Sequence, residues 1–81
     1  DSQVKIRGYR VELSSIEDVL MELPEVQHAI VQVQDFNTES VLVTYLVTHS
    51  GRDLNIKSLQ QVLRSKLFSY QVPSHFVFMD S

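Results

Sequence analysis

The sequence predicts an α+β domain, an N-terminal β-hairpin followed by a small, mainly antiparallel sheet covered by two helices. Three observations predict it. Apolar and polar residues alternate about Gly8 through positions 4–13, and positions 26–35 and 41–48 divide between two faces at a spacing of two, the period of strands. In two other segments apolar residues recur every three or four positions, the period of a helix with one buried stripe. The resulting order of hairpin, helix, strand, strand, helix, strand suits helices laid on one small sheet.

The elements follow in order. Around Gly8, Val4, Ile6, Val11 and Leu13 are apolar, while Lys5, Arg7, Arg10 and Glu12 are polar. This reads as a short hairpin with its tip near Arg7-Gly8-Tyr9, where Gly8 can adopt the positive φ that such a tip often needs. Ser14-Ser15-Ile16-Glu17 has the form of a capping box, with Ser14 as N-cap and Glu17 at the third helical position. Ile16, Val19, Leu20 and Leu23 form the stripe of the first helix. Pro24 ends it, because the residue before a proline is pushed out of the helical region.

Strands at 26–35 and 41–48 come next, the first with Ala29, Val31 and Val33 on one face and Gln32 and Gln34 on the other. The short loop Phe36-Asn37-Thr38-Glu39 makes them an antiparallel pair. Asn55 is the expected N-cap of the second helix, whose stripe is Ile56, Leu59, Val62, Leu63 and Leu67. The pattern breaks over 68–73, and His75-Phe76-Val77-Phe78-Met79 reads as the last strand. Tyr45, Tyr70, Phe76 and Phe78 are expected in the core.

Composition narrows the function. With 81 residues the chain suits one small domain. It has no cysteine, which excludes disulfides, a thiolate nucleophile and cysteine-ligated zinc. His28, His49 and His75 are scattered, so no metal site is expected. Apolar runs are too short to span a bilayer and none resembles a signal peptide, so a cytoplasmic domain with no membrane contact is expected. Net charge is −3 and uneven: Lys5, Arg7 and Arg10 cluster at the start, while positions 11–40 contain seven acidic residues and no Lys or Arg. Such a layout argues against nucleic acid as a partner, yet it leaves one basic element able to meet a phosphate or an acidic surface.

Asp1-x-Gln3-Val4-Lys5-Ile6-Arg7-Gly8-Tyr9-Arg10-Val11-Glu12-Leu13, then Ile16-Glu17, resembles a core motif of the adenylate-forming superfamily. The Gln-Val-Lys-Ile-Arg-Gly run is similar to the nonribosomal peptide synthetase branch rather than to acetyl- or fatty-acyl-CoA synthetases. Leu23-Pro24-x-Val26 with His28-Ala29-Ile30-Val31 resembles a second family segment, and Leu63-x-x-x-Leu67-x-x-Tyr70-x-Val72-Pro73-x-x-Phe76-Val77 a third. Nearly the whole chain is covered. It departs from the family pattern where Ser14 and Ser15 replace Gly and Glu, Phe68 replaces Pro and Gln71 replaces Met.

The resemblance implies the C-terminal subdomain, or lid, of an amino-acid-activating adenylation domain spanning 1–81, with hinge and hairpin at 1–13 and an α-β-β-α-β body at 14–81. The parent reaction would form an aminoacyl-adenylate from ATP, then transfer the aminoacyl group to a carrier-protein phosphopantetheine thiol. ATP, magnesium and carrier-bound phosphopantetheine are implied for the parent enzyme, and none for this chain alone. By resemblance Asp1 is the hinge, Gly8, Tyr9 and Arg10 meet the pantetheine tunnel or the carrier protein, and Glu12 anchors the hairpin. The family's catalytic lysine lies in an Asn-Gly-Lys segment expected beyond Ser81, so no catalytic residue is assigned within the chain; Lys5, Lys57 and Lys66 do not sit in that context. The implied partners are the large N-terminal subdomain of the same polypeptide and a peptidyl carrier protein. Two other readings are a non-catalytic copy of the lid kept for packing or docking, and an unrelated small α+β module binding through the Lys5-Arg7-Arg10 hairpin.

Overall fold

The structure, a computed structural model, describes residues 3–49 and 54–79. Strands β1 (Gln3–Ile6) and β2 (Tyr9–Glu12) form the hairpin, and helix α1 (Leu13–Met21) follows without a break. Strands β3 (Val26–Phe36) and β4 (Glu39–Thr48) form a long antiparallel pair with a bulge between Val26 and His28. Helix α2 (Ile56–Lys66), a 3₁₀ turn (Ser69–Gln71) and β5 (His75–Met79) complete the α+β order expected from the sequence. The main sheet runs β3-β4-β5, and β1-β2 is a separate two-stranded sheet. β5 pairs with β4 in parallel, since a crossover containing α2 returns the chain to the same end of the sheet.

One face of the main sheet is buried. Ala29, Val31, Leu42 and Leu46 point into a core shared with Ile16 and Leu20 of α1, Leu59 and Leu63 of α2, and Ile6 and Val11 of the hairpin. Thr44 lies fully buried beside them, and its hydroxyl has no hydrogen-bond partner among the described residues. On the opposite face Ile30, Val77 and Met79 are exposed. Phe78 is 45% exposed rather than core, because it sits near the end of the edge strand β5. Tyr45, Tyr70 and Phe76 are half-buried.

The two helix starts differ. Asn55 caps α2 as expected, its Oδ1 accepting from the Lys57 N–H (2.8 Å) and the Ser58 N–H (3.3 Å). Its stripe is narrower than expected, since Ile56 in the first turn is 42% exposed. The capping box expected at Ser14 does not form. Strand β2 runs to Glu12, held by the Gln3↔Glu12 pair, so the helix begins at Leu13 and Ser14 is already inside it. The Ser14 hydroxyl donates to Glu12 Oε1 (3.1 Å), and Glu17 Oε2 instead accepts the Val31 N–H (2.8 Å). That carboxylate covers a backbone donor on the edge strand β3, which would otherwise invite a foreign strand. Helix α1 ends at Met21, ahead of Pro24, and Leu23 just beyond it packs against the core.

Candidate functional site: the hairpin tip and its footing

The hairpin turns through two residues, Arg7 (φ 50°) and Gly8 (φ 84°), between the paired Ile6 and Tyr9. Positive φ at both positions matches the right-handed twist of the arms and is inexpensive for Gly8, whereas Arg7 carries a side chain into a region that L-residues avoid. A Cβ built on Gly8 would meet nothing within 4 Å. Position 8 therefore has room for a side chain.

The arms place their polar residues on one face. Lys5 lies directly opposite Arg10, a like-charge pair that weakens an antiparallel ladder. Arg10 Nε donates to Gln3 Oε1, and Gln3 Nε2 donates to Glu12 Oε2 at 3.5 Å. The Arg10 guanidinium is thus drawn along the strands toward Glu12, which also accepts from Ser14. Among the described residues Lys5 and Arg7 form no ion pair; the salt bridge present joins Lys66 to Glu22 at 3.6 Å. Lys5 and Arg7 line a groove of about 320 Å³ between the hairpin and the β3–β4 turn, together with Glu39, Tyr70 and Ser74.

Tyr9 is 53% exposed, yet one face of its ring is covered. It stacks on Tyr70, with centroids 4.1 Å apart and planes within 7°. Phe68 extends the stack at 5.6 Å and 2° from Tyr70. The 3₁₀ turn that carries these rings is tied by its own bonds: the Phe68 N–H donates to Gln71 Oε1 (2.8 Å), and the Gln71 N–H donates to the Phe68 carbonyl (2.9 Å). A proline at 68 has no N–H to donate, and a methionine at 71 offers only a weak sulfur acceptor. The Phe68–Gln71 bond thus joins the two positions in this turn that depart from the family pattern.

Of the residues that the sequence singles out, the structure brings Gly8, Tyr9, Arg10 and Glu12 onto one hairpin, and Asp1 lies outside the described residues. Sequence reasoning missed Tyr70 and Phe68 as its footing. The paired change at 68 and 71 was the available signal. Among the described residues no three His, Asp or Glu are grouped to hold a metal ion, and no helix is long and apolar enough to cross a membrane.

Residues 15–81 match the AMP-binding enzyme C-terminal domain. The chain is 43% identical to a segment of polyketide synthase PksN of Bacillus subtilis (strain 168), covering 99% of this chain and 2% of that protein. It is 37% identical to a segment of gramicidin S synthase 2 of Aneurinibacillus migulanus, covering 100% of this chain and 2% of that protein. Among solved structures, the four-domain nonribosomal peptide synthetase AB3403, bound to AMP and glycine, superposes with a TM-score of 0.85 at 38% identity, over 98% of this chain and 6% of that one. IdnL1 superposes with a TM-score of 0.92 at 28% identity, over 100% of this chain and 16% of that one. The chain thus spans only a small part of each protein it resembles. Placed against these relatives, it belongs to the family of AMP-binding enzyme C-terminal domains, as the C-terminal subdomain of an adenylation domain.

Proposed function

We propose that this chain is the mobile lid of an amino-acid-activating adenylation domain. In that role it closes on a large N-terminal subdomain while aminoacyl-adenylate forms from ATP, then rotates to present the hairpin for transfer to a carrier-protein phosphopantetheine thiol. The observation that carries this reading is the tip: a glycine at φ 84° with open space around it, on a hairpin that stands apart from the main sheet. A backbone bare of Cβ can approach a narrow arm closely. Two half-reactions need two arrangements around one pocket, which a rotating element supplies. Asp1 would absorb the φ/ψ change as hinge.

Lys5, Arg7 and Arg10 give the approaching face a positive field suited to a phosphate or an acidic partner. ATP would supply the adenylyl group, with the magnesium that accompanies its phosphates. Family membership sets aside the reading of the chain as an unrelated binding module.

Rotation is testable in the intact enzyme, because this chain contributes no cysteine of its own. A spin label at Gln61→Cys, exposed on α2, is paired with one on the large subdomain. We expect two distance populations, with amino acid and ATP favouring one and carrier protein favouring the other. A single distance, insensitive to both, would overturn the lid.

A further inference from the structure

We propose that Tyr70 is the positioning residue of the hairpin tip: its ring, stacked on Tyr9, holds Gly8 at the place required for the transfer half-reaction. This inference rests on the lid reading above. β1–β2 has four paired positions and forms no ladder with the main sheet, and a two-stranded ladder is marginal by itself. Ile6 and Val11 anchor its base in the core. Beyond Ile6 the residues of the tip, Arg7, Gly8 and Tyr9, are all exposed. Tyr9 stacked on Tyr70 is a contact that reaches past the base.

The footing is stiff. Tyr70 sits in a 3₁₀ turn closed at both ends by the Phe68 and Gln71 bonds, and the Val72 N–H donates to the Ser69 carbonyl (3.3 Å). Pro73, next in the chain, is buried, and the Ser74 N–H donates to the Leu42 carbonyl (3.1 Å), which fastens the segment to the central strand β4. Phe68 remains 69% exposed while lying parallel to Tyr70, so its ring extends the stack rather than filling the core. Tip, stack, turn and central strand form one continuous support. The stacking contact uses the ring of Tyr70 and not its hydroxyl, which makes phenylalanine the conservative replacement.

Losing the ring would let the tip swing, and small misplacements of a positioning group are costly in rate. The test uses the full synthetase with Tyr70→Leu, Tyr70→Phe and Gly8→Leu, each assayed for amino-acid-dependent pyrophosphate exchange and for carrier loading. We expect Tyr70→Leu to slow loading about tenfold or more with exchange kept within about twofold, and Tyr70→Phe to restore loading. If Gly8→Leu slows loading and Tyr70→Leu does not, the positioning role is wrong and the lid reading stands. If Tyr70→Leu lowers both half-reactions together, the ring serves folding alone and the positioning role is again overturned. If neither Gly8→Leu nor Tyr70→Leu affects loading, the lid reading itself falls, and this inference with it.

Discussion

The chain turns back on itself twice through two-residue loops, and the two hairpins share little else. In β3–β4 the turn places Asn37 at φ 56°, and asparagine tolerates that region better than most residues. Ten paired positions follow, β5 covers the far edge of β4, and the inner face buries Ala29, Val31, Leu42 and Leu46. In β1–β2 the corresponding turn position is Arg7 at φ 50°, an arrangement that costs on the order of 1 kcal/mol or more. Only four pairs follow, with Lys5 facing Arg10. The long hairpin devotes its length to pairing and burial, with the Thr44 hydroxyl as its exception, whereas the short one gathers strain, repulsion and exposure at and near its tip. Sites that break the local rules are where function is to be sought.

The largest way to sharpen that contrast is a cut into the body. Leu63 is fully buried between α2 and the sheet, and Leu63→Ala should cost about 2–4 kcal/mol. For a domain whose total is on the order of 4–12 kcal/mol, urea unfolding should reveal a large loss, and a small shift would mean that α2 packs by another face. Asn55→Ala should cost about 1 kcal/mol, whereas Ser14→Ala should lie near zero, because Asn55 caps a helix and Ser14 does not. Equal losses would restore the capping box. Thr44→Val should stabilise by up to about 1 kcal/mol by removing a buried, unpartnered hydroxyl; a destabilised variant would show that the hydroxyl has a partner. Smallest of all, Gln71→Met should cost about 0.5 kcal/mol, and adding Phe68→Pro should recover it, since the second change removes the donor that the first leaves unpaired. Simple additivity of the two would break the link.

Much of this was legible in the chain. The two-residue period located β1 to β4, a short apolar run located β5, and Asn55 declared its helix, because each of those signals is local and unopposed. The start of α1 was not legible: Ser14 and Glu17 fit a capping box, but the pairing of β1 with β2 carries the chain straight into the helix, which starts earlier than that box allows. The exposure of Ile56 and Phe78 depends on where the facing layer ends, which no periodicity encodes. In the candidate site, Gly8 announced its turn, while the strain at Arg7 and the stack of Tyr9 on Tyr70 are products of tertiary placement.

The central claim is that the tip enters the active site for one half-reaction and not for the other. Since a Cβ at position 8 meets nothing within 4 Å, a side chain there burdens this domain only through the positive φ. Gly8→Asn keeps a residue that tolerates φ 84°, and Gly8→Leu adds bulk, so the two separate strain from obstruction. In the intact enzyme, Gly8→Leu should keep pyrophosphate exchange within a few-fold. It should load carrier protein about a hundredfold more slowly, a barrier increase of about 2.7 kcal/mol. Equal losses in both assays, or loading unchanged, would contradict the account.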